Sequence, residues 1–396
     1  MRKIKSKRKL ASVLLVMLSI IILMTACGNA NGGKDKPGAG EDTIKIGGLA
    51  PLSGNVSVYG IAVNNAVKLA IDEVNAAGGL LGKQVKYIVY DEKGDSVEAT
   101  NAYNRLVNDD KIVALIGDVT SGPTIAVAQR AARDNMPMIT ASGTAADITK
   151  QGPNVFRACF IDEVQGDLMA AFMAKNLQLQ KAAVLYNVSD NYSQGLTDAF
   201  VARCKDEGIE VVAEENYSDG DKDFKTQLTR IAAAGPEVLY VPNYYNDNIM
   251  IVRQAKQVGL DVAFLGGDGW DGVLSENVIG SEKKDADGSY FTNHYAPDDP
   301  NEALQSFLSS YRKAYNMEAV SFSALGYDAA RMMMQAIEEA GSTDSQAIVD
   351  AMKNINFEGI TGHITFDENN NPIKTVSIIS IVDGEYTLFA KMQSDD

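Results

Sequence analysis

Two short turns in the first half of the chain carry hydroxyl groups and glycine directly after apolar segments. "DVTSGPT" contains Ser121 and Pro123, and "TASGTAAD" contains Ser142, Gly143 and Thr144. Ser121 suits the N-cap of a helix and Pro123 its first turn, and the second turn also predicts a helix start. Backbone N–H groups and the helix dipole favour an anion there. The two turns together predict an anion site, although a helix cap without a ligand is the simpler alternative for the first turn alone.

The second half of the chain supplies a carboxylate and aromatic rings at similar positions. The loops "SDNYSQG", "PNYYNDN" and "GGDGW" contain Tyr192, Tyr244 and Asp268, and the early loop "LSGNVSVYG" contains Tyr59. Each loop follows a predicted strand, and open parallel sheets bind ligands beyond the carboxyl ends of their strands. Because these groups come from both halves of the chain, the sequence predicts one site between two facing lobes.

The predicted anion is a carboxylate rather than a phosphate. "GGLLGKQ" has the wrong spacing for a phosphate-binding loop and ends in Gln84, where Ser or Thr is required, and no GxGxxG opens a helix after a strand. Neither turn contains Lys or Arg to offset two negative charges. A monoanionic carboxylate is therefore the better fit.

Catalytic residues are scarce in this sequence. The only histidines are His294 and His363, and no serine lies in a GxSxG elbow. We expect His363 to be structural and His294 to lie on the surface, with a hinge between lobes as the alternative for His294. The sequence thus predicts no enzyme, no metal and no cofactor.

Short apolar strands alternate with helical patterns from residue 43 onward. Val63, Val67 and Ala70 mark one apolar helix face after the first strand. Near-continuous apolar strands predict parallel sheets covered on both faces, and therefore an α/β fold with two doubly wound lobes. The predicted strands are 43–50, 84–90, 111–117, 136–141, 182–187, 237–242 and 262–267.

Two further segments bear on domain organisation. The break between lobes is expected near residues 155–167, where an extended piece passes into a helix. Residues 363–390 predict a β-rich hairpin with a Gly/Asn turn that could belong to either lobe.

The N-terminal segment resembles an export signal. Residues 1–26 combine six basic residues with an uncharged apolar run that ends just before Cys27. "LMTACGN" resembles a bacterial lipoprotein cleavage box, in which the cysteine becomes lipidated. Residues 27–42 then form a flexible tether. A stop-transfer helix and a buried free cysteine are the alternatives.

Charge and the remaining cysteines restrict the partners. The net charge of −16 at pH 7 repels phosphate backbones, so nucleic acid is not an expected partner. Cys159 and Cys204 could pair in an exported protein, but two buried free thiols are favoured.

Eight segments occur in an order typical of one protein family. They are "IKIGGLAPLSGNVSVYG", "AIDEVNAAGGLLGKQV", "LIGDVTSGPT", "MPMITASGTAADIT", "VFRACFIDEVQG", "NYSQGL", "VGLDVAFLGGDGW" and "SALGYDAA". On these segments, residues 43–390 resemble the leucine/isoleucine/valine-binding family of solute-binding proteins of ABC importers. "FIDEVQG" departs from the family by having Glu163 where Pro is usual.

The resemblance implies a type I periplasmic-binding-protein architecture with a ligand cleft and three hinge crossovers. Lobe 1 would span 43–162 with 293–370, and lobe 2 would span 163–292 with 371–396. The cleft would close on a small amino acid, most often leucine, isoleucine or valine, and deliver it to a membrane permease. A ligand-sensing receptor and a binder of amides or aromatic carboxylates are the alternatives. We expect a monomer anchored by lipid on the extracytosolic face of the cell membrane.

The resemblance also assigns roles to individual residues. Ser121 and Thr144, with the backbone of Ser142 and Gly143, would hold the ligand's carboxylate. Asp268 would pair with its ammonium group, where some relatives have the longer Glu. The aromatic neighbours of the ligand would be Tyr192, Tyr244 and Tyr59.

Overall fold

The computed structural model describes residues 43–393. The predicted signal peptide (1–26) and the tether with Cys27 (27–42) therefore lie outside the described residues. Between residues 43 and 393, no helix combines the length and the apolar character needed to cross a bilayer.

The first sheet is entirely parallel and has the order β2-β1-β3-β4-β5. Its strands are β1 (Ile44–Ala50), β2 (Val85–Asp91), β3 (Ala114–Ile116), β4 (Met138–Thr140) and β5 (Val155–Arg157). The order reverses between β1 and β3, and the crevice at such a reversal is where open α/β sheets bind ligands.

The second sheet is mixed rather than fully parallel. Its parallel strands are β6 (Lys181–Asn187), β7 (Glu210–Tyr217), β8 (Val238–Tyr240), β9 (Ala263–Gly266) and β10 (Ser289–Asn293). A small separate sheet pairs β11 (Phe357–Gly359) with β12 (Gly362–Ile364). The antiparallel hairpin of β13 (Val376–Val382) and β14 (Glu385–Met392) then joins β10, giving the order β14-β13-β10-β9-β8-β6-β7. The predicted C-terminal hairpin thus extends the second sheet.

Helices connect most of the strands. They are α1 (Ser57–Ala76), α2 (Ser96–Arg105), α3 (Ser121–Asp134), α4 (Asp162–Phe172), α5 (Asn191–Glu207), α6 (Lys225–Ala234), α7 (Tyr245–Gln257), α8 (Glu276–Ile279), α9 (Glu302–Tyr315), α10 (Ser321–Ala340) and α11 (Ser345–Lys353). Short π turns extend α2 over Leu106–Asp110 and α4 over Met173–Leu177. Single 3-10 turns occupy Thr149–Gln151, Asp268–Trp270 and Lys283–Ala286.

Local sequence explains several helix boundaries. The Asp190 side chain accepts a hydrogen bond from the N–H of Tyr192 and so caps α5, which ends at Gly208 with a left-handed φ of 73°. Glycine adopts that conformation without the steric cost of a Cβ. The polar cap fixes where α5 begins, directly after β6.

Three connections link the two sheets. The chain passes from one lobe to the other between β5 and α4, between β10 and α9, and between β12 and β13. After the second crossing, α9 and α10 pack against α1 beside the first sheet. The predicted α/β fold with two lobes is confirmed. The transition predicted near residues 155–167 coincides with the start of α4 at Asp162.

Both remaining cysteines are buried and free. Cys159 lies in the first connection, and Cys204 lies on α5 in the core of the second lobe. Two buried thiols, rather than a disulfide, agree with the favoured prediction.

Candidate ligand-binding site

The first turn follows β3 and leads into α3. Thr120, not Ser121, precedes the helix, and its side chain makes no capping hydrogen bond. The predicted N-cap role of Ser121 is therefore wrong, because Ser121 is already the first helical residue. Its Oγ accepts a hydrogen bond from the N–H of Ala145 at 3.2 Å, so it ties the two turns together.

The second turn follows β4, and no α-helix begins there. The prediction of a second helix start is wrong, since the chain continues irregularly to the 3-10 turn at Thr149–Gln151. The Gly143 N–H donates to Thr140 Oγ1 at 2.9 Å, which leaves it unavailable to a ligand in this structure. A Cβ at Gly143 would lie only 2.8 Å from Ile148 Cδ1. Gly143 thus serves the packing of the turn.

A buried arginine supports the second turn from below. Arg157, at the end of β5, donates to the carbonyl oxygens of Gly143, Thr144 and Ala145 at 3.0, 2.7 and 2.9 Å. Fully buried cations require such partners, and burial lowers the pKa of Arg157 from its ordinary value. The sequence prediction found no basic residue in either turn and missed this one. A single arginine inside the apolar segment "VFRACF" was the available signal.

The second lobe presents one carboxylate, held by two partners. Asp268 begins the 3-10 turn after β9 and is 2% exposed. Tyr192 Oη donates to Asp268 Oδ1 at 2.8 Å, and His294 Nε2 lies 2.9 Å from Asp268 Oδ2. Gln165 Oε1 accepts from the Asp268 N–H at 2.9 Å. These contacts fix the direction of the carboxylate.

The two histidines occupy very different positions. His294 is buried directly after β10, so the prediction of a surface residue is wrong and the alternative position between the lobes is the correct one. Burial lowers the pKa of His294, although Asp268 acts in the opposite direction. His363 lies exposed in β12, with Nδ1 2.7 Å from Glu358 Oε1.

Aromatic rings form the walls between the polar groups. Tyr192 stacks on Tyr244 with ring centroids 4.9 Å apart, and Tyr59 stacks on Phe322 at 4.0 Å. Burial raises the pKa of Tyr192 and Tyr59 well above the ordinary value, so both hydroxyls stay protonated and able to donate. Phe322, at the start of α10, was missed because a lone aromatic in a helix looks like an ordinary core residue.

Six of the eight predicted site residues meet around one small cavity. Its volume is about 10 Å³, which is room for about one water molecule. Tyr59 lies behind Tyr244, and Gly143 does not reach the cavity. The lining residues are Val119, Thr120, Ser121, Ser142, Thr144, Tyr192, Tyr244, Asp268 and Phe322.

The lobes touch each other beside this cavity. Tyr59 Oη donates to Gly269 O at 2.6 Å and accepts from the N–H of Tyr245 at 3.2 Å. The Val58 N–H donates to Tyr245 Oη at 3.3 Å. A polar pocket of about 540 Å³ borders the cavity at Thr120 and Tyr244 and lies between the lobes. The structure therefore has a closed cleft, and a ligand of amino-acid size requires it to open.

A second carboxyl group lies near the cavity. Asp162 begins α4, is 1% exposed and faces Gly195, where a Cβ would lie 3.2 Å from Asp162 Oδ2. Burial raises the pKa of Asp162 well above its ordinary value, an effect that the Thr144 hydroxyl partly offsets. A protonated Asp162 adds no negative charge beside the cavity, so Asp268 is the acidic group that lines it.

Comparison with known proteins agrees with this geometry. The family model described as "Periplasmic binding protein" matches residues 43–385. The chain belongs to the periplasmic binding protein family. Family membership confirms a solute-binding protein rather than an enzyme, and it agrees with a site made of hydroxyls, aromatic rings and one fixed carboxylate.

Individual members of this family resemble the chain along most of its length. A Leu/Ile/Val-binding protein of Rhizobium johnstonii is 34% identical, over 78% of this chain and 83% of its own length. The crystal structure of a leucine-binding protein from Thermotoga maritima is 33% identical with a TM-score of 0.83, covering 89% of this chain and 99% of that one. A branched-chain amino acid transporter substrate-binding protein from Streptococcus pneumoniae, in complex with isoleucine, is 32% identical with a TM-score of 0.82 and the same coverage. The predicted resemblance to Leu/Ile/Val-binding proteins is confirmed.

Proposed function

We propose that this protein captures a branched-chain amino acid between its two lobes and delivers it to the permease of an ABC importer. One observation carries the proposal. Ser121 and Thr144 from the first lobe line the same cavity as Asp268 from the second. An α-amino acid carries one negative and one positive group, and only a cleft in which both lobes contact the ligand offers partners to both.

The first lobe supplies the carboxylate partners in this proposal. Ser121 and Thr144 would offer hydroxyls and Ser142 its backbone, since all three residues line the cavity, and the first-turn N–H groups of α3 add the positive end of a helix dipole. Arg157 contributes a positive charge below the second turn without occupying the cavity. This arrangement suits a single carboxylate.

The second lobe supplies the partners for the ammonium group and the side chain. Asp268 would accept from the ammonium, while Tyr192 and Tyr244 with Phe322 would enclose an aliphatic side chain. Tyr59 would hold the cleft closed through its hydrogen bonds to Gly269 and Tyr245. Relatives that bind leucine or isoleucine support a ligand of this size.

The lobe boundaries, the membrane anchor and the monomeric state are proposed from the sequence. We assign 43–162 with 293–370 to lobe 1 and 163–292 with 371–396 to lobe 2. Cys27 would carry a lipid anchor on the extracytosolic face of the membrane, and the protein would work as a monomer.

A thermal-shift screen tests the proposed ligand. The purified protein, freed of carried-over ligand by partial unfolding and dialysis, is heated with each common amino acid, with leucinamide and with 4-methylpentanoate. A ligand at 100 times its Kd stabilises the folded state by about 2.7 kcal/mol, so leucine, isoleucine or valine should raise the Tm clearly. If amides or simple acids raise the Tm and no α-amino acid does, the proposed ligand is wrong.

A further inference from the structure

His294 begins the second connection between the lobes and lies against the proposed ammonium partner. Its ring stacks on Phe160 of the first connection, with centroids 3.8 Å apart and planes 21° apart. Its backbone N–H donates to Asn293 Oδ1 at 2.9 Å. The ring is therefore held by two of the three connections that must move when the cleft opens.

The hydrogen bonds of the ring favour its neutral form. Nε2 lies 2.9 Å from Asp268 Oδ2, while the buried Nδ1 has no partner among the described residues. A neutral ring that donates from Nε2 leaves only a lone pair unpartnered at Nδ1. A protonated ring would instead bury an unpaired N–H donor there, which is costly.

Charged groups reach the ring from several elements. Asp268 faces the ring from the turn after β9. Lys374, in the third connection, is positively charged and therefore disfavours protonation of the His294 ring. The ion pair of Asp299 and Lys391, 2.6 Å apart, lies on the solvent side, where both residues line a small cavity with His294. Asp162 of the first connection acts on Asp268. Burial has the largest effect on the protonation of the ring, and Asp268 and Lys374 are the charged groups that act on it next.

We propose that His294 is a positioning residue that aims the Asp268 carboxylate at the ligand's ammonium group, and that a proton on His294 competes with that ammonium. This proposal rests on the proposed function. A neutral His294 donates one hydrogen bond and leaves the negative charge of Asp268 for the ligand. A protonated His294 neutralises the same carboxylate, so that binding the ammonium requires release of the proton. Ligand affinity should therefore fall as the pH falls, and acid should promote release.

Calorimetric Kd values for leucine between pH 7.5 and 4.5 test this competition. Leucine itself does not change charge in this interval. We expect the wild-type Kd to rise at least about fivefold, approaching tenfold per pH unit below the midpoint of His294 titration. His294→Gln can still donate to Asp268 but cannot take up the proton. Its Kd should stay within about threefold of wild type at pH 7.5 and change by less than about twofold at pH 4.5.

A second variant distinguishes the hydrogen bond that His294 gives to Asp268 from the packing of its ring on Phe160. His294→Phe keeps a ring to stack on Phe160 but donates nothing to Asp268. We expect leucine to bind about tenfold more weakly at pH 7.5, because the carboxylate loses a partner, while 4-methylpentanoate, which has no ammonium group, binds as in wild type. Equal losses for both ligands would indicate a packing role only and overturn the positioning role.

Histidine-ring NMR of the wild-type protein makes the test independent of the variants. The chain has two histidines, so His363 serves as an internal control. Saturating leucine should lower the titration midpoint of His294 by about one pH unit or more and leave that of His363 unchanged. An unmoved His294 midpoint, or an unaltered pH profile in His294→Gln, contradicts the competition. A wild-type protein that binds no ammonium ligand at pH 7.5 contradicts the proposed function itself.

Discussion

At the residue scale, the selectivity for an amine depends on the environment of Asp268. Its two oxygens already accept from Tyr192 and His294, at 2.8 and 2.9 Å, and its side chain is one methylene shorter than Glu. These partners fix the direction of the carboxylate. Preorganisation of this kind reduces the conformational cost of binding.

Replacing this carboxylate should separate ligands by charge. We expect Asp268→Asn to weaken leucine binding by about 10- to 100-fold, because hydrogen bonds to charged groups contribute about 1.5 to 3 kcal/mol. The affinity for 4-methylpentanoate should be unchanged or higher. Calorimetry with both ligands measures the difference.

Ser121→Ala is the matched control, since it removes a hydroxyl from the opposite wall. Both ligands carry a carboxylate, so both should bind more weakly to it. Unchanged leucine affinity in the two variants would contradict the site assignment.

Sequence patterns could locate these residues but not their partners. Ser121, Thr144, Tyr192 and Asp268 were found because each follows a strand, and strand ends meet at one edge of a parallel sheet. The hydrogen bond from Ala145 to Ser121 spans 24 residues, and no local pattern encodes it. The burial of His294 likewise depends on tertiary packing.

At the element scale, helix packing depends on close approach at one glycine. Gly166 on α4 faces α5, where a Cβ would lie 2.6 Å from Leu196 O and 2.8 Å from Phe200 N. These are backbone atoms, which cannot rotate away as a side chain can. The α4–α5 pair is therefore set at a distance that only glycine permits.

Adding one methyl group should push these helices apart. Gly166→Ala is expected to lower the free energy of unfolding by about 1 to 3 kcal/mol through overpacking, despite the better helix propensity of alanine. Urea denaturation measures it. Gly122→Ala, in α3, is the control, because its nearest neighbour would lie 3.8 Å away and no loss is expected. Equal stability of the two variants would contradict this packing.

Two strand ends carry buried carboxyl groups, Glu92 and Asp118. Glu92 follows β2 and Asp118 follows β3, both are fully buried, and each carboxyl group affects the pKa of the other. Burial and the neighbouring Asp118 raise the pKa of Glu92, and burial raises the pKa of Asp118. The folded protein therefore retains a proton that the unfolded chain releases near the ordinary Glu value of 4.5.

Stability should consequently fall as the pH rises from 4.5 toward the raised pKa of Glu92. Glu92→Gln has no titrating proton at this position, so its Tm should vary less over that interval. Glu98→Gln, on the exposed face of α2, should keep the wild-type dependence. Parallel pH profiles for all three proteins would exclude the proton retained by Glu92 as the cause.

At the element scale, the pattern of apolar residues predicted some strands and missed others. Apolar runs predicted β1 and β6 well, because both are longer strands with mostly buried side chains. β10 was missed, since "SYFTN" alternates too briefly to stand out. The C-terminal hairpin was recognised as β-structure, but its pairing with β10 is a contact between distant segments.

At the scale of the whole molecule, one tyrosine hydroxyl joins the closed lobes. Tyr59 Oη, from α1, donates to Gly269 O and accepts from the N–H of Tyr245. Both bonds must break when the cleft opens. The closed state therefore depends partly on this hydroxyl.

Removing the hydroxyl should shift the balance toward the open state. We expect Tyr59→Phe to increase the radius of gyration of the ligand-free protein in small-angle X-ray scattering, and saturating leucine to restore the wild-type value. Leucine affinity should fall about 3- to 10-fold, since two hydrogen bonds of about 0.5 to 1.5 kcal/mol each are lost in the closed state. Tyr90→Phe, whose hydroxyl binds Asp110 within the first lobe, should leave the scattering curve unchanged. A radius equal to wild type in Tyr59→Phe would argue against this bridge.

The position of the C-terminal hairpin has a consequence for biosynthesis. β13 covers β10, and Val376, Ile378 and Met392 belong to the core of the second lobe. These residues follow all of the parallel strands along the chain, so a nascent chain that ends before residue 376 leaves β10 as an unpaired edge. The second lobe can complete its sheet only after residues 376–392 have been made, which leaves its earlier strands exposed to wrong pairing until then.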